Sequence, residues 1–134
     1  ATIKTFEDIE SWQKAREVCK VLGDFIDENK FRKNFRLIHQ IEGSSGSIMD
    51  NIAEGFERGT RAEFIQFLGY AKGSCGELRS QLYRALDRKY ISLDEFETIK
   101  IMVMTISSLI QKFINYLLSS TVAGVRKKIA QSQL

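Results

Sequence analysis

Three serines, Ser44, Ser45 and Ser47, crowd into the run GSSGS from Gly43 to Ser47 and form the sequence's densest set of possible nucleophiles. A serine hydroxyl attacks only when a base accepts its proton and a third group orients that base. His39 is the one imidazole in the chain. It would lie a turn or more away along the same helix, about 100° from the centre of that helix's apolar stripe. The run also lacks the lysine and the glycine spacing of a phosphate loop. Cys19 and Cys75 fall on apolar stripes and form no CxxC pair, so each reads as a small buried hydrophobe in a reducing cytoplasm. A di-iron bundle site needs Glu-x-x-His pairs from two helices, but Arg36 stands three residues before His39. Haem attachment through CxxCH is absent as well. The expectation is a protein without catalysis, metal or cofactor.

Binding chemistry is better represented. Arg61, Lys72 and Arg79 recur at intervals of 11 and 7 residues, which brings them into line on one helix edge. Gly69, Gly76, Tyr83 and Tyr90 lie beside them, and Ile65, Leu68 and Leu86 run along the margin. Cations interleaved with aromatics can hold phosphates and stack bases; apolar residues beyond a core stripe instead suggest a subunit contact. A plain solvated edge is the third reading. The preceding helix presents Arg36, Gln40, Gly43, Ser47, Asn51, Glu54 and Arg58 on the side opposite its isoleucines. That face is small and uncharged in its middle, unlike a Lys- and Glu-rich solvated face. It suits a subunit or ligand contact, or packing inside its own bundle. A net charge of +3, from 20 basic and 17 acidic side chains, permits a nucleic-acid partner without requiring one.

Positioning these residues is a matter of long helices. The chain has 134 residues and no proline, whereas average usage of about 5% would supply roughly seven. Proline costs about 3 kcal/mol inside a helix, so its absence favours uninterrupted ones. Segment one, Thr5 to Asn29, carries Trp12, Ala15, Cys19, Leu22 and Ile26 at three-four spacing, with Val18 and Phe25 beside them. Segment two opens at the N-cap Asn34 and closes at Gly59, with Ile38, Ile41, Ser45, Ile48 and Ile52 in phase. Because the isoleucine phase does not slip across GSSGS, the spacing predicts continuous helix there despite the glycines. Segment three begins with a capping box, Thr60 to Glu63, and its stripe is Phe64, Phe67, Ala71, Ser74 or Cys75, Leu78, Leu82 and Ala85, ending near Tyr90. Segment four begins with a second box, Ser92 to Glu95. Its stripe, Phe96, Ile99, Val103, Ile106, Ile110, Phe113 and Leu117, is a heptad seam.

Four such segments with short links predict an all-α, antiparallel up-and-down four-helix bundle over residues 1–120, followed by a basic tail, 121–134, carrying Arg126, Lys127 and Lys128. The longest apolar stretch, around Ile101 to Ile110, includes a threonine and two serines and is far short of the roughly 18 residues of a membrane span, so none is expected. Met102, Leu109 and Tyr116 lie outside the main seam of segment four. Several helices are thus apolar on more than one side, and a homo-oligomer is expected.

A family resemblance sharpens this. Phe6 to Ala15 (FEDIESWQKA) resembles the opening of the bundle proteins encoded in intervening sequences of bacterial 23S rRNA genes. Ser47 to Arg58 (SIMDNIAEGFER) is similar to that family's central segment, and Phe64, Phe67-Leu68, Ala71, Gly73-Ser74, Glu77-Leu78 and Gln81-Leu82 resemble its third helix. The match runs over about residues 6 to 118. It implies a cytoplasmic, non-catalytic homopentamer. Related bundles engage nucleic acid and a reverse transcriptase. Asn51, Glu54, Gly55 and Arg58 carry the signature and are expected at the surface; Arg58, Arg61, Lys72 and Arg79 are the candidates for nucleic-acid contact. The family commonly has proline where Met49 stands and a basic dipeptide before the Ser-Ile pair, replaced here by small residues. If that dipeptide serves RNA contact in the family, the contact is expected to be weaker in this chain. The leading expectation is an RNA-associated oligomeric bundle; the alternative is a scaffold presenting its ring to a partner enzyme.

Overall fold

The computed structural model describes residues 2–119, and the basic tail lies outside the described residues. Four helices follow one another: α1 (Glu10–Asp27), α2 (Phe35–Arg58), α3 (Arg61–Asp87) and α4 (Leu93–Ser119). Each packs on its chain neighbours, and α1 closes the square against α4. The fold is the antiparallel four-helix bundle read from the periodicity.

Caps delimit the helices as the sequence implies. Asn34 Oδ1 accepts the Leu37 amide at 3.2 Å. Gly59 ends α2 at φ 88°, a left-handed conformation that glycine adopts without a Cβ penalty. At the start of α3, Thr60 Oγ1 accepts the Glu63 amide and donates to the Glu63 carboxylate at 2.9 Å. The box at α4 is fully reciprocal: the Ser92 amide donates to Glu95 at 2.8 Å and the Glu95 amide to Ser92 Oγ at 3.1 Å. Helix α2 runs unbroken through GSSGS and Met49. Ser45 Oγ compensates locally by donating to the Ile41 carbonyl at 2.8 Å, a bond made along the helix itself.

Three expectations need correction. Segment one does not start as α-helix at Thr5. A short 3-10 turn, Phe6–Asp8, comes first, and Ile9 is extended at φ −79°, ψ 122°. Asp8 causes the break: its carboxylate accepts the Lys4 and Thr5 amides at 2.8 and 3.0 Å and closes a separate turn. The turn is anchored where Ile9 is buried and Phe6 meets Trp12 edge-on at 5.2 Å. In α3 the central position belongs to Leu68, fully buried, whereas Phe67 is only half-buried. The helix also ends at Asp87, short of Tyr90, because the chain turns left-handed at Lys89.

The seam of α4 is buried at every one of its seven positions, Phe96 to Leu117. They meet Phe64, Leu68, Leu78 and Leu82 of α3 and the inner faces of α1 and α2 in one core. Outside that seam α4 also carries Leu93, Ile101, Met102, Met104, Leu109, Ile114 and Leu118 among its polar residues. Its richest 18-residue window has a mean hydropathy of 1.4, with 33% of it buried, so the helix is long and apolar enough by length and composition to cross a membrane. Short apolar runs missed this because the seam and the outer residues contribute together. A bundle's core helix has the same composition.

Candidate functional site

The signature residues of α2 divide between interior and surface. Glu54 is exposed. Asn51 is half-buried and donates to the Ser47 carbonyl and hydroxyl at 2.8 and 2.9 Å, so its amide is engaged on its own helix. Gly55, expected at the surface, is buried. A Cβ there would sit 2.7 Å from Phe67 Cβ and 3.1 Å from the Phe64 ring. It marks a close approach of α2 and α3 and is a packing residue. Arg58 is exposed, but its Nε donates to Glu63 at 2.8 Å and its guanidinium lies 5.3 Å from the Phe67 ring centroid. It braces the turn between the two helices, which leaves less of it for a ligand.

Arg61, Lys72 and Arg79 do share an edge of α3, with Arg61 exposed and the other two half-buried. That edge faces α4. Tyr83, next along it, packs on Phe96 with ring centroids 4.7 Å apart, and Lys100 of α4 lies 5.7 Å from the Tyr83 ring. Tyr90 belongs elsewhere. It has left the helix and accepts a hydrogen bond from Asn34 Nδ2 at 3.2 Å, on the link between α1 and α2. The structure therefore leaves Tyr83 on the cation edge, packed against α4, and removes Tyr90 from it.

The possible nucleophiles are committed to structure. Ser44 Oγ donates to Glu77 at 3.0 Å, tying α2 to α3. Burial pushes the Cys75 thiol up to about 12, against the opposing pull of Lys72 and Arg79 on either side of it. Cys19, half-buried, is raised too, chiefly by desolvation. His39 is exposed. Among the described residues no three His, Cys, Asp or Glu side chains converge as a metal site would require. The raised Cys75 gives a direct expectation. At pH 8 iodoacetamide should leave Cys75 unmodified in the folded protein and alkylate it after unfolding, read by mass spectrometry. The sign of the linkage also follows: the folded state favours the protonated thiol, so its contribution is complete below the ordinary value of 9.0 and is lost towards 12. A Cys75→Ala chain should lack that component of the alkaline fall in melting temperature.

Sequence reasoning passed over the end of the bundle where the α1–α2 link (residues 28–34) meets the α3–α4 link (residues 88–92). Phe31 is fully buried there and contacts Tyr90 edge-on at 6.3 Å. Lys30 Nζ bonds Glu95 at 2.9 Å. The Ser92 amide and Lys30 hold the Glu95 carboxyl below its usual range. Each link is visibly basic in sequence, but nothing local says that they touch.

Long antiparallel helices around one aliphatic and aromatic core define an all-α, up-and-down four-helix bundle whose distinctive residues lie on helix faces and links. A family model for 23S rRNA-intervening sequence proteins matches residues 7–112, and the chain belongs to that family. It is also similar to a crystal structure from Bacteroides thetaiotaomicron, a protein of unknown function in the S23 ribosomal protein family. The TM-score is 0.75 at 25% identity, with 81% of this chain and 98% of that chain covered. No curated protein matches the sequence.

Proposed function

We propose that this protein is a non-enzymatic, cytoplasmic helical bundle that assembles with copies of itself and associates with nucleic acid, RNA foremost. The observation that carries the assembly is the outer face of α4. Ile101 is 62% exposed and Met104 44%, beside half-buried Leu109. Thr105, Ser108 and Lys112 complete a shallow depression of about 390 Å³ around them. Such a face is favourably buried at roughly 25 cal/mol per Å² of apolar surface removed from water, and a second copy of the bundle is the occupant we assign to it. The family resemblance makes a ring of five the expected closure. Non-catalysis is supported by the engagement of Ser44 and Ser45 and the raised Cys75 thiol; the free cysteines agree with a reducing cytoplasm. Nucleic-acid association is supported by the excess of cations and by the family's origin in rRNA-gene intervening sequences.

The test is the native mass by light scattering together with the ratio of absorbance at 260 to 280 nm. An oligomer carrying nucleic acid is expected. A monomer would refute the assembly. An oligomer that shows no salt-sensitive nucleic-acid binding would favour a scaffold for a partner protein. Ile101→Asp with Met104→Asp should give a monomer of unchanged helicity, because both side chains project outside the core; an intact oligomer would move the contact to another face.

A further inference from the structure

We infer that the end of the bundle built by the two links, on its α2–α3 side, is the surface that grips a nucleic-acid backbone. The inference rests on the nucleic-acid association proposed above and places it away from the α3 edge. The segments that build this end carry six cations: Arg32, Lys33 and Arg36 on the first link and the start of α2, and Arg84, Arg88 and Lys89 on the end of α3 and the second link. Their two groups are about fifty residues apart in sequence and adjacent in space. Arg32 lies 5.8 Å from the Tyr90 ring, while Asn34, Leu37, Arg84, Asp87 and Arg88 line one depression of about 380 Å³. That volume admits a phosphate with its sugar. Among the described residues, none of Lys33, Arg36, Arg84 and Lys89 has a carboxylate partner.

Charge is polarised across this end. Asp27, Glu28, Asp94 and Glu95 stand on the α1–α4 side, where Glu95 already holds Lys30, and Asp87 is the acid within the depression. A polyanion is therefore steered to the α2–α3 side. The backbone of both links is tightly turned. All four non-glycine residues with positive φ among the described residues, Asn29, Arg32, Lys33 and Lys89, occur in these two links. Three of them are cations in a conformation that glycine or asparagine adopts more easily. Asn29 and Lys89 end α1 and α3 in the left-handed cap common at helix C-termini, whereas Arg32 and Lys33 are two successive left-handed cations within the first link. Phe35, 64% exposed at the first position of α2, offers a base-stacking ring among the cations.

Phosphodiester chemistry is common to RNA and DNA, so binding is measured by fluorescence anisotropy on a labelled RNA hairpin and on a DNA duplex of equal length. The full chain is used at two salt concentrations. Lys33→Glu, Arg84→Glu and Lys89→Glu combined should weaken binding at least about 30-fold at low salt and flatten the salt dependence by about 0.9 per lost phosphate contact. Phe35→Ala, which leaves charge unchanged and alters an exposed side chain, should cost about tenfold. The native mass and circular dichroism should stay those of the parent. Reversing Arg61, Lys72 and Arg79 should change affinity by less than about threefold. The inference is overturned if the link variant binds like the parent, or if the α3 variant is the one that fails. If the parent itself shows no salt-sensitive binding, the nucleic-acid reading falls with it.

Discussion

Phe64→Ala is expected to lower the unfolding free energy by about 3–5 kcal/mol, the range for truncating a buried phenylalanine. Phe64 is fully buried and joins three helices. Its ring meets Phe56 of α2 edge-on at 5.9 Å and Phe113 of α4 at 5.0 Å. It also lies under Gly55, where the backbone of α2 comes close. Truncation removes the transfer free energy, leaves a cavity between rings that cannot collapse inward, and forfeits two edge-to-face pairs worth about 0.5–1.5 kcal/mol each beyond their area. Against a total stability of about 5–15 kcal/mol, that is a large fraction. Thermal denaturation should show a melting temperature lower by roughly 10–20 °C. A shift of only a few degrees would mean that the ring cluster does not join the three helices.

Substituting leucine at Gly55 should be comparably damaging, for the opposite cause. A Cβ alone would overlap Phe67 Cβ at 2.7 Å, and that atom is fixed to the α3 backbone, so the neighbour cannot swing away. Three further carbons would force α2 and α3 apart where Gly55 meets Phe64 and Phe67. The expected loss is about 3 kcal/mol or somewhat more, the upper end of overpacking costs. Glycines elsewhere on the same helix provide the control. A Cβ at Gly43 or Gly46 meets nothing within 4 Å, so alanine there should stabilise an isolated bundle by about 0.5–1 kcal/mol through helix propensity. Urea unfolding of the three variants would read the contrast directly. If Gly43→Ala lowers the native mass while raising stability to urea, the small outer face of α2 is a subunit contact. If Gly55→Leu is neutral, the close approach at Gly55 is not what sets the spacing of α2 and α3.

Much of the architecture can be read from the chain alone, because the forces that write it are short-range. Capping at Asn34, Thr60, Ser92 and Gly59 uses side chains within three residues of the amides or carbonyls they serve, or a local left-handed turn. The seam of α4 was legible at every position, since a heptad repeat on one helix has one inward side. Continuity of α2 through GSSGS followed from the isoleucine phase, which records burial more faithfully than glycine records flexibility. The resemblance in α2 and α3 led to the family without any coordinates.

Other features depend on residues that meet only after folding. Whether Phe67 or Leu68 takes the centre of α3 depends on how far α3 rotates against Gly55, a question between two helices that neither stripe can answer. Gly55 looked like part of a surface signature because a side chain's absence carries no hydropathy signal; its burial is visible only once Phe64 and Phe67 lie beside it. The cations of Arg61, Lys72 and Arg79 were easy to find since one helix carries them all. Those of the two links were not, because their proximity depends on a closure that brings residue 34 to residue 90. Local spacing thus dictates four capped, striped helices, whereas their mutual rotation and the meeting of their links determine which of the outward residues act together.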